Sequence, residues 1–290
     1  MIRSRMVIYC LQFCGWDIFM LKITPYGKVT RLDIARSLAG KGRYWTTAYL
    51  VDGLLVDSGC AHCAHELVRA LEGQAIACIV NTHSHEDHIG ANGLLQRRQP
   101  DLDIYAHPTA LPVLADPRHK QVLHPYRRLF WGWPEPSQAR PLADGEYLQA
   151  EHLSFQVLYT PGHSPDHICL YQAEQGWLFT GDLFVGGQER ALRAEYDIWQ
   201  IIASLKRIAA LPAEWMFPGS ARTRQDVAGE LGRKIAYLEE LGERVLELDR
   251  QGLSVAEIAR RLFGGPIWIE WVTLGHFSRR RLVLSYLGRN

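Results

Sequence analysis

The stretch IACIVNTHSHEDH, residues 76–88, carries the most informative pattern of this chain. Its first five residues are almost continuously apolar, which is typical of a buried β-strand. Three histidines and one aspartate follow within six residues: His83, His85, Asp87 and His88. Neutral imidazole and carboxylate groups are ligands for zinc, and also for iron or manganese. Because a turn after a buried strand can point several side chains inward, the stretch predicts a metal site.

Two later segments place the same residue types at the ends of predicted strands. The segment TPGHSPDH, residues 160–167, follows a predicted strand at 155–159 and contains His163. The segment FTGD, residues 179–182, ends another predicted strand and supplies Asp182. The reactive residues therefore lie on loops at strand ends. This pattern argues against the alternative that residues 81–88 form only a histidine-rich surface loop.

The composition is that of a folded globular protein. Among 290 residues, 47% are hydrophobic and 22% are charged. Lys and Arg total 32 against 31 Asp and Glu, a formal net charge of +1, so no overall field attracts nucleic acid or a membrane surface. A small-molecule substrate is the expected partner, and no pattern indicates an oligomeric state.

The six cysteines lack the density and spacing of a disulfide scaffold, which favours the reducing cytoplasm. The apolar segment from Met6 to Leu21 contains Asp17 and is followed by no small-residue cleavage site, so we interpret it as non-targeting. A second interpretation is that translation begins at Met20 and residues 1–19 are an upstream extension, because the regular strand pattern starts at Leu21.

Three regions are predicted along the chain. Residues 21–221 form the catalytic domain, interrupted by an inserted flap at 107–140, and residues 222–290 form a C-terminal helical region. The flap contains six prolines and an aromatic cluster, which either forms an apolar wall above the metal site or packs as a small separate core. The cluster consists of Tyr126, Phe130, Trp131 and Trp133.

The sequence resembles the metallo-β-lactamase superfamily from about Tyr49 to Gly219. The shared pattern is a His-x-His-x-Asp-His loop, a later His after Pro-Gly, and an Asp after Gly. The resemblance implies an α+β fold, a four-layer αββα sandwich in which two sheets face each other with helices outside. It also places the metals at one edge of the sandwich. Here the C-terminal helices would be an appendage to that fold.

The resemblance also implies a role for each motif residue. His83, His85 and His163 would hold a first metal ion, Asp87 and His88 would begin a second site, and Asp182 would bridge both. Asp57, in the sequence VDSG, matches a position that usually supports the ligands without itself binding the metal. Zinc is the expected cofactor, as one or two ions, with iron or manganese as alternatives.

One position departs from the family pattern. The superfamily normally supplies a last histidine to the second site in a Pro-Gly-His turn, whereas residues 218–220 here read Pro-Gly-Ser. The second site is then weak, unfilled or completed by another side chain. His276 is one candidate for this extra ligand, and Ser220 itself is another, as a weak oxygen ligand or as a holder of water.

The predicted function is metal-dependent hydrolysis of an ester, thioester or lactone bond in a small substrate. Metal-bound hydroxide would attack that bond, and Asp87 and Asp182 would orient it or accept its proton. The segments around His163 and Asp182 resemble the glyoxalase II thioesterases in particular. Two alternatives stay open: a mononuclear iron persulfide dioxygenase of the same superfamily, and a non-catalytic metal-dependent sensor or binding protein.

Overall fold

Two β-sheets form the centre of the protein in a computed structural model that describes residues 7–13, 16–38 and 41–289. The first sheet contains eight strands in sequence order and the second contains five, in the order β13-β12-β11-β10-β9. The strands of the first sheet are β1 (Val7–Phe13), β2 (Trp16–Tyr26), β3 (Val29–Leu38), β4 (Lys41–Val51), β5 (Leu54–Val56), β6 (Cys78–Val80), β7 (Asp103–Ala106) and β8 (Arg140–Pro141). The strands of the second sheet are β9 (Tyr147–Gln149), β10 (Ser154–Tyr159), β11 (Ile168–Gln172), β12 (Trp177–Gly181) and β13 (Trp215–Pro218).

An aromatic core joins the facing surfaces of the two sheets. Tyr49 of the first sheet makes edge-to-face contacts with Phe179 and Phe217 of the second, with ring centroids 5.5 and 5.4 Å apart. All three side chains are buried, and the Tyr49 hydroxyl donates to the carbonyl of Pro218 at 2.7 Å. Because this contact satisfies the polar tip of the ring, the tyrosine can occupy the sheet interface without an unpaired hydroxyl.

Helices cover the outer face of each sheet. On the first sheet, α1 and α2 bury Leu67 and Leu94 in the same core as Ile79 of β6. On the second sheet, α6, α7, α8 and α10 share one core with residues of β11 and β12. The helices are α1 (Ala64–Ala70), α2 (Asn92–Arg98), α3 (Leu111–Ala115), α4 (Pro117–Lys120), α5 (Pro125–Phe130), α6 (Ile198–Ala209), α7 (Val227–Arg250), α8 (Val255–Phe263), α9 (Trp268–Val272) and α10 (Arg279–Tyr286). The four-layer α+β sandwich predicted from the sequence is therefore confirmed.

The loops that follow five strands meet at one edge of the sandwich. Asp57 follows β5, the histidine-rich loop follows β6, His163 lies beyond β10, Asp182 follows β12, and Ser220 lies beyond β13. Gly162 allows the connection that carries His163, because its φ is +127° and a Cβ there would lie 2.4 Å from the backbone nitrogen of Ile201. Because these strands end at the same edge, residues that are far apart in the sequence lie close together in the fold.

The N-terminal segment differs from the sequence-based prediction. Regular strands begin at Val7 rather than at Leu21, because β1 pairs with β2 as an antiparallel hairpin. Residues 1–6 lie outside the described residues, and the division at 221/222 stays a prediction. Residues 107–140 contain a 3₁₀ turn and three short helices, as expected for a partly helical flap. No helix in the described part of the chain has the length and apolar character needed to cross a membrane.

Candidate metal centre

Three buried histidines from two loops point ring nitrogens at one another. The Nδ1 atom of His85 lies 2.9 Å from Nε2 of His83 and 3.1 Å from Nε2 of His163. The ligand atoms of these three residues all lie within 4.8 Å of one another. Each ring therefore presents a nitrogen to a common point, as the ligands of a tetrahedral metal ion do.

A second group of possible ligands adjoins the first and shares His83 with it. This group contains His83, His88 and Asp182. Asp182 Oδ2 lies 3.5 Å from His88 Nε2 and 3.8 Å from His163 Nε2, so its carboxylate stands between the two groups. Asp87 Oδ2 lies 3.9 Å from His88 Nε2. The six residues that the motifs single out are thus brought together at one site.

The buried carboxylate of Asp57 orients the rings of His83 and His88 on the side that faces away from the ligand groups. Asp57 accepts the backbone N–H and the hydroxyl of Thr82, both at 2.8 Å, and contacts Nδ1 of His88 at 2.8 Å. The Thr82 hydroxyl oxygen is in turn 3.0 Å from Nδ1 of His83. Because Nδ1 of both rings is engaged on this side, their Nε2 atoms face the centre. The role of Asp57 in supporting a bound metal stays a prediction.

The electrostatics of the site favour neutral imidazoles at His83 and His85 and a positively charged imidazole at His88, beside the carboxylates. Burial and the neighbouring histidines hold the pKa of His83 well below its usual value, and burial with the charge of Arg193 does the same to His85. Burial alone would lower the pKa of His88, but Asp182, Asp57 and Asp87 raise it well above its usual value. Burial raises the pKa of Asp87 to about 6.

The donor set therefore fits a divalent cation. Nε2 of His88 is buried and has no hydrogen-bond partner of acceptable geometry among residues 7–13, 16–38 and 41–289. Loss of its proton when a cation binds would make this ring nitrogen a ligand. The carboxylates around it supply negative charge that a bound cation would balance. Imidazole and carboxylate ligands suit zinc, iron or manganese alike.

The structure also shows where the two candidate extra ligands lie. Ser220 Oγ donates to Oδ1 of Asp182 at 2.7 Å, so it is beside the second group. His276 is not brought to either group, because its Nδ1 contacts the Tyr126 hydroxyl at 2.8 Å and its Nε2 lies 3.3 Å from Glu195. The chain segment that carries His276 folds back toward the site but presents the ring to the flap.

Sequence analysis missed two arginines that the structure places next to the ligands. Arg127 of the flap forms a buried, bidentate ion pair with Glu86, which lies within the histidine-rich loop. Arg193 lies with its Nη1 3.5 Å from Nε2 of His85. Neither contact has a local sequence signal, because the partners are 41 and 108 residues apart.

A cavity of about 260 Å³ opens beside the ligands. His85, Asp87, His163 and Asp182 form one side of it. The other walls include Tyr126 and Trp131 of the flap, the loop after Asp182, and a segment near the C-terminus. That last segment contributes Ile269, Thr273 and Phe277, and further lining residues come from β4, α6 and Ser220. Phe130 of the aromatic cluster packs in the core beneath the first sheet, and Trp131 contacts both that core and the cavity. The flap aromatics are thus divided between a cavity wall and a core.

Several curated proteins are similar to parts of this chain. Lactamase-like protein nscB of Aspergillus fumigatus is 30% identical over 207 residues, which are 66% of this chain and 54% of that protein. A hydroxyacylglutathione hydrolase of Legionella pneumophila is 32% identical over 148 residues, 49% of this chain and 48% of that one. An atrochrysone carboxyl ACP thioesterase of Aspergillus fumigatus is 29% identical over 189 residues, 62% and 52% of the two chains. The chain spans about half the length of these relatives.

Solved structures and a family model extend this likeness. The protein TTHA1623, solved in a di-iron-bound form, is 32% identical with a TM-score of 0.55, covering 67% of this chain and 96% of that one. The metallo-β-lactamase family protein TTHA1429 from Thermus thermophilus is 23% identical with a TM-score of 0.57, covering 94% and 92%, and shares the fold. The model of the metallo-β-lactamase superfamily matches residues 46–220. That match covers more than half of the chain and contains all six motif residues, so the chain belongs to the metallo-β-lactamase superfamily.

Proposed function

We propose that this protein is a metal-dependent hydrolase that acts on a thioester, ester or lactone bond of a small substrate. The observation that carries the proposal is the convergence of three neutral imidazole nitrogens, from His83, His85 and His163, beside a cavity. His88, Asp87 and Asp182 adjoin them as a second possible ligand group. Zinc is the first choice of metal, with iron or manganese as alternatives.

When bound at these residues, a divalent cation supplies Lewis-acid activation of water and of the bond under attack. The protein's own residues supply position and proton transfer. Asp87 lies on the cavity wall beside the ligand groups, where its carboxylate can orient a water molecule or accept its proton. Ser220 donates to Asp182 and thereby fixes the orientation of that carboxylate.

The dimensions of the cavity and the named relatives favour a small acyl substrate. The enclosed volume of about 260 Å³ is below the range of ~300–1,000 Å³ that is typical of drug-sized ligands. One similar protein is named as a thioesterase and another as a hydroxyacylglutathione hydrolase. We therefore place thioesters first among the candidate substrates. We also propose that residues 21–221 form the catalytic unit and that 222–290 complete its substrate cavity.

Metal content and turnover test the proposal together. Elemental analysis of protein purified without added metal is expected to find at least one zinc, iron or manganese ion per chain, lost in the His83→Ala variant. The His276→Ala variant is the matched control, because its ring contacts Tyr126 and Glu195 rather than the ligand groups. Hydrolysis of simple acyl thioesters should follow metal content. Metal-free wild-type protein, or metal-loaded protein inactive across thioesters, esters and lactones, would contradict the proposal; the second result would favour a sensor or binding protein.

A mononuclear iron dioxygenase acting on a persulfide is the second candidate. The observation that favours it is Ser220, which stands where the superfamily usually has a histidine and leaves the second group with one ligand fewer. Under this alternative the purified protein would contain a single iron ion, and an oxygen electrode would record oxygen uptake with glutathione persulfide. Two zinc ions per chain and no oxygen uptake would exclude it.

A further inference from the structure

Arg193 is a buried cation on the wall of the cavity. Its side chain lies between the rings of Tyr196 and Phe277, with its guanidinium carbon 5.1 and 4.9 Å from the two ring centroids. Only 4% of the residue is exposed, and its Nε has no acceptor among the residues that the structure describes. Among the residues that the structure describes, Arg193 forms an ion pair with one carboxylate, that of Glu195, at 3.6 Å from Nη1. Glu195 also contacts His276. A buried guanidinium with an unused donor is costly unless an acceptor is supplied.

His85 presents a second donor at the same place. Its Nδ1 belongs to the three-imidazole group, so its Nε2 points away from that group and lies 3.5 Å from Nη1 of Arg193. A neutral histidine that gives its Nδ1 lone pair to a metal carries its proton on Nε2. Arginine has donors only. With a metal bound, two N–H groups therefore face each other and need an oxygen acceptor from outside the chain.

We propose that Arg193 and Nε2 of His85 form an anion-binding subsite that holds a carboxylate group of the substrate beside the reacting bond. This inference rests on the proposed function and adds the substrate class: acyl compounds that carry a second, ionised carboxylate. One carboxylate can accept from both donors through its two oxygens, and its negative charge complements the buried guanidinium. Trp131, Ile269 and Phe277, which line the same cavity, would contact the apolar remainder of the substrate.

Binding of a matched pair of probes tests the subsite without turnover. Isothermal titration of zinc-loaded protein with phenylacetate and with phenylacetamide compares ligands of nearly the same shape that differ in charge. The wild type is expected to prefer phenylacetate by roughly 10- to 100-fold, the ratio that a charge-assisted hydrogen bond supplies. Arg193→Gln should remove that preference, and Arg193→Lys should retain part of it. Equal phenylacetate binding by the wild type and Arg193→Gln would mean that the carboxylate binds elsewhere, and would overturn the proposal.

Kinetics on a second matched pair separate this inference from the proposed function. The substrates are a succinyl thioester with a free carboxylate and its neutral primary amide. Arg193→Gln is expected to lower kcat/KM roughly 10- to 100-fold more for the charged substrate than for the neutral one. Arg190→Gln is the control, because Arg190 is exposed, donates to the carbonyl of Phe263 and lies outside the cavity lining. Equal losses on both substrates would overturn the subsite. If the wild type hydrolysed neither substrate but still preferred phenylacetate to phenylacetamide, only the proposed hydrolase function would be overturned.

Discussion

The Oδ2 atom of Asp57 lies 2.8 Å from Nδ1 of His88, and it also accepts the Thr82 hydroxyl at 2.8 Å. One carboxylate oxygen therefore orients the ring of His88 and, through Thr82, the ring of His83. Asp57 has a φ of +60°, a left-handed conformation that asparagine also tolerates. Asp57→Asn therefore preserves the backbone but replaces an acceptor with an amide. We expect its metal affinity to fall roughly 10- to 100-fold, as measured by competition with a chromophoric chelator.

The control for this variant is Asp103→Asn, whose carboxylate pairs with Arg140 on the protein surface. It should bind metal as the wild type does. If Asp57→Asn bound metal with unchanged affinity, Asp57 would have no part in orienting the ligands.

The ion pair between Arg127 and Glu86 connects the flap to the histidine-rich loop inside the protein. Both residues are almost fully buried. Arg127→Met leaves the Glu86 charge without a partner, so the free energy of unfolding should fall by about 3–5 kcal/mol in urea denaturation. Adding Glu86→Gln to that variant should restore part of the loss, because the unpaired charge is then removed.

The exposed pair Arg97–Glu135 provides the comparison for the buried one. Both partners are about half exposed, so Arg97→Met should cost about 1 kcal/mol or less. Similar losses in the Arg127 and Arg97 variants would show that the buried pair contributes nothing particular to the stability of the flap.

Gly219 provides space for the ligands because it has no side chain. A Cβ at this position would lie 2.8 Å from Oδ1 of Asp182 and 2.8 Å from Cε1 of His88. Gly219→Ala should therefore displace both side chains and lower the metal content after dialysis. Gly232→Ala is the control on α7, where a Cβ meets nothing within 4 Å. The control should keep its metal and gain roughly 0.5–1 kcal/mol of stability from helix propensity.

The pKa of Glu195 predicts a pH-dependent contribution to stability. Burial would raise that pKa, but the hydrogen bond with His276 and the charge of Arg193 outweigh it and lower the pKa to about 2. Because the folded-state value is below the unfolded one, the stabilisation is complete above the usual glutamate pKa and is lost as the pH falls toward 2. Glu195→Gln should lower the Tm by about 2 °C at pH 7, a small effect because the side chain is half exposed. A Tm difference of the same size at pH 7 and pH 3 would contradict this assignment.

The motif residues of the site could be predicted from sequence because their chemistry is local. His83, His85, Asp87 and His88 lie within one loop, and turn residues before His163 and Asp182 mark strand ends. The pairing of the sheets then brings the separate loops together. By contrast, the contacts of Arg127 and Arg193 depend on how the flap and the loop after Asp182 pack, and no residue next to them in sequence indicates their partners.

Helix α6 has a clear signal in the sequence. Ile198, Ile201, Ile202, Leu205 and Ile208 recur at helical spacing and form its buried face. Asp197, which caps the helix by accepting the backbone N–H groups of Trp199 and Gln200, marks its start. The candidate ligand His276 shows the opposite case: its segment does fold back to the cavity, but the local contacts with Tyr126 and Glu195 determine where the ring points.

The cavity wall at Ile269, Thr273 and Phe277 lies outside residues 46–220, the region that matches the superfamily. Part of the cavity wall is therefore encoded outside the stretch that carries the metal-ligand motifs. A library that randomises these three codons would vary this part of the wall while leaving every motif position intact. Exchange of the C-terminal segment with that of another superfamily member would replace this part of the wall and leave the candidate metal ligands in place.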